Sequence, residues 1–214
     1  MIWVLLGLSA LTAALYGFWL GQQQVSMARS ASKTAAIGAL ACISATSDGP
    51  WLLTAALGFS ALGDYFLSRE NDKAFLAGMA AFFLAHLAYI PLLLQLGEGF
   101  DLIAARWPIA LGFGLYALIF YRILWPGLGG FRLPVLGYCA AITGMGLAAL
   151  GLTLSGGALF VLLGALAFVL SDTVLALEKF RLPAASKTKP FAAYFVWFSY
   201  WLAQCLITFG TLYP

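Results

Sequence analysis

Two aspartates fall inside apolar runs of this chain, Asp64 in GFSALGDYFLSRE and Asp172 in ALAFVLSDTVLALEKF. An ionised carboxylate within a membrane-spanning helix costs about 2.5–3.5 kcal/mol on insertion scales, so such residues face a bundle interior or a wet cavity and mark function. Two carboxylates held together away from bulk water can divide acid and base work, one protonated and the other ionised. The same material builds proton relays in transporters. Both aspartates share a local pattern, a small residue, Asp, two further residues and Leu: GDYFL and SDTVL. The plainer alternative is that each carboxylate pairs with Arg69 or Lys33 and anchors a helix end.

Further polar residues punctuate the apolar sequence. Lys33 opens one apolar segment, His86 and Tyr89 lie in AFFLAHLAYIP, and Tyr200 and Gln204 lie in YFVWFSYWLAQCLI. Three residues apart, His86 and Tyr89 share a helix face. His86 reads either as a packing residue satisfied by the Tyr and Gln, or with them as the lining of the deep part of a cavity. Cys42, Cys139 and Cys205 sit in apolar segments without metal-ligand spacing and read as packing residues.

The elements that must hold these residues are membrane helices. The 214-residue chain is 63% hydrophobic and 9% charged, with a mean hydropathy of +0.96, against roughly 25% charged residues in a soluble domain. Its net charge of +3 provides no basic face for nucleic acid. A bilayer core of about 30 Å takes about 20 apolar residues per helix. Eight segments approach that length: 2–20, 33–47, 51–68, 73–96, 107–122, 133–152, 156–178 and 190–212. The loops between them hold no soluble domain and no low-complexity tract. The expectation is therefore an all-α polytopic membrane protein, one domain over residues 1–214, with eight transmembrane helices in one bundle. The first apolar run lacks a preceding basic region and a following small-residue cleavage site, and reads as a retained helix.

Charge orients the bundle. Short cytoplasmic loops carry the excess of Lys and Arg. Arg29, Lys33, Arg69, Lys73, Arg122, Arg132, Lys179, Arg181, Lys187 and Lys189 fall on one side of the eight-span scheme, and Arg106 alone on the other. Both termini are then expected on the non-cytoplasmic side, at the bacterial inner membrane if the source is prokaryotic. In this frame Asp64 lies about one turn, roughly 6 Å, above the cytoplasmic end of its helix, with Asp172 and Lys33 at similar depth. His86 falls in a second layer, about 20 Å from the surface, with Gln204 about as deep and Tyr200 one turn nearer the cytoplasm. The shared pattern around the aspartates, 108 residues apart, suggests a 4+4 internal repeat of parallel halves.

The ordered set of polar pieces resembles the YhhN family of multi-pass membrane proteins. The matching pieces are Lys33-Thr34, Gly63-Asp64, FLAHLAYI with His86 and Tyr89, Ser171-Asp172, and YWLAQCLI with Tyr200 and Gln204. They run from residue 33 to 207, and the proline-containing basic loop EKFRLPAASKTKP departs from the pattern. The resemblance implies a lysoplasmalogenase, which hydrolyses the vinyl ether of a lysophospholipid to a fatty aldehyde and a glycerophospho-base. It implies Asp64 and Asp172 as the essential residues. Such chemistry needs an acid to protonate carbon and an anion beside the resulting oxocarbenium ion, a demand that glycosidases also meet with two carboxylates. Either aspartate fits either role. Lys33 would bind the substrate phosphate or keep one aspartate ionised, and His86, Tyr89, Tyr200 and Gln204 would line the site. Its partners would be the lysophospholipid and membrane lipids, and it needs no metal or organic cofactor. A small proton-coupled transporter and a non-catalytic lipid-binding scaffold are the competing readings.

Overall fold

Each of the apolar runs is helical, and local chemistry fixes where several of them begin. The computed structural model describes residues 1–183 and 185–214, Ala184 of the basic loop lying outside the described set. Among the described residues all regular structure is helical: α1 Ile2–Phe18, α2 Met27–Thr46, α3 Trp51–Leu67, α4 Asp72–Leu96, α5 Phe100–Ala105, α6 Trp107–Leu124, α7 Arg132–Ala149, α8 Gly156–Phe180 and α9 Lys189–Leu212. The Ser26 hydroxyl accepts from the Arg29 amide at 3.1 Å and starts α2. Asn71 caps α4 in the same way, accepting from Ala74 N at 2.8 Å. These side chains satisfy amides that a helix start otherwise leaves unpaired. Pro108 and Pro190 occupy the first turns of α6 and α9, where a missing N–H costs nothing.

Two boundaries differ from the sequence expectation. With Ser26 as cap, α2 starts at Met27 and not at residue 33, so Lys33 sits well inside the helix instead of opening it. The short α5 is an additional helix between the expected fourth and fifth spans.

Among the described residues, six helices are long and apolar enough to cross a membrane: α1 and α6 with their following turns, α4, α7 with its preceding turn, α8 and α9. The chain is thus an integral multi-pass membrane protein. Of the other two long helices, α3 is apolar but has 17 residues. The second, α2, has 20 residues but is diluted by Ser30, Ser32, Lys33, Thr34, Ser44 and Thr46.

The helices close a ring in the order α1, α2, α3, α4, α7, α8, α9, while α6 stands outside against α7. The tightest pairs, α3 with α4 and α8 with α9, are made by glycine. A Cβ on Gly63 would lie 2.6 Å from the Phe82 ring, and one on Gly164 would lie 2.8 Å from the Ala203 carbonyl oxygen. Lipid is as apolar as Leu, so close backbone approach and interhelical hydrogen bonds must supply the cohesion that water supplies elsewhere. The two halves are not packed alike beyond these pairs: α2 lies along α3, whereas α7 lies mainly on α4.

Large apolar side chains such as Leu62, Leu87, Leu118, Ile119, Leu166 and Leu202 face outward, while Ser9, Ser44, Ser60, Asp64, His86, Ser171 and Gln204 are buried. At one end of the bundle Glu98 N donates to Gly151 O at 2.8 Å, and the tail at Pro214 packs on Gly157. The adjacent half of the ring is filled by Leu53, Leu57, Leu93, Val161, Ala165 and Ile207. Toward the other end the ring opens. There Arg29 pairs with Glu70 at 2.7 Å and Lys179 with Asp72 at 3.9 Å.

Candidate active site

A cavity of about 470 Å³ enters the ring from that open end, between α1, α2, α3, α4, α8 and α9. Asp64, Asp172, Lys33 and Tyr200 all line it. His86, Tyr89 and Gln204 do not; they stand behind its wall.

Asp64 is fixed from three helices. The absence of a side chain at Gly63 lets the Phe82 ring of α4 sit against α3 next to Asp64. Asp64 is 1% exposed, with Lys33 Nζ of α2 at 3.4 Å from Oδ1. On the other oxygen, Tyr200 of α9 donates its hydroxyl to Oδ2 at 2.9 Å. Both carboxylate oxygens therefore face donors. Arg69, the alternative partner read from the sequence, instead donates to the Tyr65 hydroxyl at 2.9 Å.

Lys33 in turn lies in an aromatic corner. Its Nζ is 5.4 Å from the centre of the Tyr16 ring and 5.7 Å from that of Trp197, close enough for cation–π attraction. The corner is locked by the Trp197 indole N–H, which donates to Ala13 O at 2.9 Å and ties α9 to α1.

Asp172 has different company. Ser171 beside it donates to Val196 O at 2.9 Å and holds α8 on α9. Tyr138 of α7 donates its hydroxyl to Asp172 Oδ2, and His86 Nε2 of α4 lies 3.3 Å from the same oxygen. His86 Nε2 is also 3.1 Å from the Tyr138 hydroxyl, and Nδ1 is 3.1 Å from the sulfur of Met145. No lysine or arginine pairs with Asp172 among the described residues. Oδ1 has no protein partner among them either, in contrast to both oxygens of Asp64.

The expected separation into two polar layers does not hold. His86 is joined directly to Asp172, and Tyr138 and Met145 complete its surroundings in place of the expected Tyr and Gln. Tyr89 instead donates to Oε1 of Gln204, making a buried bridge between α4 and α9. Phe168, one turn before Asp172 on α8, fills the space between the groups: its ring centre is 4.8 Å from that of His86 and 5.2 Å from that of Tyr200. Nothing in the sequence marks Tyr138, Tyr16 or Trp197 for this site.

The mouth of the cavity carries both signs of charge. Arg29, Arg69, Lys179 and Lys189 line it with Glu70, Asp72 and Glu178. The Nε atoms of Arg29 and Arg69 are buried donors with no partner among the described residues.

Comparison with known proteins returns one family and several relatives. The model of the YhhN family matches residues 28–211. The chain is similar to the bovine protein named lysoplasmalogenase TMEM86A, 33% identical over 165 residues, which covers 72% of this chain and 62% of that protein. It is also similar to the lysoplasmalogenase of Mycobacterium tuberculosis, 31% identical over 163 residues, 75% of this chain and 59% of that one. The human protein named lysoplasmalogenase TMEM86A is 30% identical over 165 residues, with 72% and 62% covered. The chain thus spans less than two thirds of the length of these relatives. No solved structure matches it.

Proposed function

Because this chain belongs to the YhhN family, we propose that it is an intramembrane hydrolase that cleaves the vinyl ether of lysoplasmalogens, with Asp172 as proton donor and Asp64 as the fixed anion. The observation that carries this reading is the unequal company of two aspartates on one cavity. An ammonium and a phenol occupy both oxygens of Asp64, an arrangement suited to a permanent carboxylate. Asp172 has both its contacts on Oδ2, which leaves Oδ1 free to carry a proton toward a substrate. Such a division of two carboxylates into acid and anion is what an oxocarbenium-forming reaction uses.

The chemistry follows from the bond. Asp172 transfers its proton to the vinyl carbon nearer the hydrocarbon chain, and the ether oxygen shares the resulting positive charge with its carbon. Asp64 stabilises that cation by charge, in a dry site where a fixed anion is worth far more than in water. Water attacks the cationic carbon and gives up a proton to Asp172, restoring the acid and leaving a hemiacetal. The hemiacetal then loses its hydroxyl proton as the C–O bond to glycerol breaks and that oxygen is protonated. One water is consumed, and an aldehyde and a glycerophospho-base are released. His86 and Tyr138 act as positioning residues that hold Asp172 Oδ2. Lys33 keeps Asp64 ionised, and Tyr89 with Gln204 braces α4 against α9 behind the site.

The unpartnered donors of Arg29 and Arg69 at the cavity mouth suit a phosphate. We take α2 and α3 to cross the membrane with the other six, with the basic end of the bundle in the cytoplasm and both termini on the opposite side. The ten basic residues at that end support this orientation. The closely packed half beyond the cavity favours a hydrolase over a transporter, which needs an alternate opening there.

The deciding experiment is fatty aldehyde release from a lysoplasmenyl phospholipid by the purified protein in detergent, beside Asp172→Asn and Asp64→Asn. Wild type is expected to release aldehyde, and folded Asp172→Asn to fall by about 100- to 10,000-fold while still binding lysophospholipid. Folded wild type without turnover of this lipid would overturn the assignment.

A further inference from the structure

Behind Asp172 lies a second space, and it is apolar. A slot of about 80 Å³ runs between α4, α6, α7 and α8. Asp172, Leu67, Phe75, Phe82, Leu175 and Lys179 line both this slot and the main cavity, so the two adjoin at the carboxylate. Asp172 is the only residue of the pair that faces both spaces. Beyond it the slot is walled by Ala117 and Phe120 of α6, Ile142 and Thr143 of α7 and Val169 of α8. Its outer wall is therefore partly α6, a helix whose one buried residue is Leu124 and whose other large side chains, Leu115, Leu118 and Ile119 among them, face lipid. The Tyr116 hydroxyl, 2.6 Å from Thr173 Oγ1, ties α6 to α8 beside Asp172.

We infer that this slot holds the hydrocarbon chain of a single-chain phospholipid, while the charged cavity holds its head group. The inference rests on the functional reading above and deepens it. A lysophospholipid has one polar and one apolar end, and so do the joined spaces: guanidinium and carboxylate groups at the mouth, methyl and aromatic groups behind. The junction of head and chain then falls at Asp172, next to the carbon that must receive a proton. The slot is too small for a whole fatty chain, so the chain passes through it and leaves the protein along α6 into the bilayer. Ala117 and Thr143 become the residues that set how the chain is received, although neither touches the reacting bond.

The test follows the chain itself and does not depend on turnover. An acyl lysophosphatidylcholine carrying a diazirine in the first third of its chain is photolysed with the full-length protein in detergent, with and without excess unlabelled acyl lysophospholipid. Competed labelling is expected on α6 and α7 at the slot, and Ala117→Phe should reduce it by at least about tenfold, the loss of burial of roughly two methylene groups. Thr143→Phe, from the opposite wall, should do the same, so that a folding defect in one variant does not decide the result. Competed labelling on α1 or α9, or competed slot labelling that both variants leave unchanged, would overturn the chain site while leaving the hydrolase reading standing. Absence of any competed labelling would overturn the chain site, while the hydrolase reading stands or falls on aldehyde release. In turnover, Ala117→Phe should slow a long-chain lysoplasmalogen and spare a short-chain vinyl ether analogue; equal slowing of the two would count against the slot.

Discussion

Lys33 of α2 and Asp64 of α3 meet 3.4 Å apart, between helices also linked by the Ser44 and Thr54 hydroxyls 2.8 Å apart. The ammonium has aromatic rings on its other side, so each member of the pair depends on the other for compensation of its charge. A buried pair of this kind contributes little net stability while whole, and its half-removal is costly.

Lys33→Met is expected to destabilise the protein by about 3–5 kcal/mol, because it strands a buried carboxylate. Adding Asp64→Asn should recover most of that loss without restoring aldehyde release. Thermal unfolding in detergent, read beside turnover, checks both statements. A double variant no more stable than Lys33→Met alone would contradict the pairing.

Tyr138→Phe removes one of two partners of Asp172 Oδ2. A hydrogen bond to a charged group is worth about 1.5–3 kcal/mol, so kcat should fall roughly 10- to 100-fold with KM nearly unchanged. A change confined to KM would place Tyr138 on the substrate instead. The pH profile of kcat should shift with the substitution, which a merely structural tyrosine would not produce.

Gly63→Ala forces a methyl group to within 2.6 Å of the Phe82 ring. Overpacking of this kind costs about 1–3 kcal/mol, and turnover should drop with stability because Asp64 is the next residue. Gly58→Ala on the same helix meets no atom within 4 Å and should leave melting and activity near wild type. Phe82→Leu in the Gly63→Ala background should restore part of the stability.

Tyr89→Phe leaves the buried Gln204 without its hydroxyl partner. The expected cost is about 1–3 kcal/mol of stability, with turnover per folded molecule largely retained, since neither residue lines the cavity. A strong loss of turnover at unchanged melting would move Tyr89 into the binding site.

The ionisable part of the site is legible in the sequence because charge inside an apolar run is conspicuous. Lys33, Asp64 and Asp172 were placed at one depth by counting residues, and they line one cavity. Counting failed for His86. It measured depth along α4 alone, whereas Asp172 lies eight residues inside the end of α8 and side chains from α4, α7 and α8 close the remaining distance. Tyr138 left no signal, because a tyrosine in an apolar helix is ordinary until α7 is known to pack on α4. The same holds for Tyr16 and Trp197, whose role depends on α1 and α9 becoming neighbours. The start of α2 is set by the Ser26 cap, which hydropathy does not register. Six membrane-length helices are readable from apolar length; the ring order is not, since nothing local in α6 says that it stands outside.

The bond from the Trp197 indole to the Ala13 carbonyl joins residues 184 positions apart in the sequence. Proteins are made from the N-terminus forward at about 5–20 residues per second, so Ala13 waits some seconds for its partner. Until α9 arrives, the aromatic corner around Lys33 is half built and Asp64 lacks the Tyr200 hydroxyl. The nascent chain therefore carries its charged pair through insertion before the surroundings of that pair are complete. The ring stays unlocked between α1 and α9 until α9 is in place.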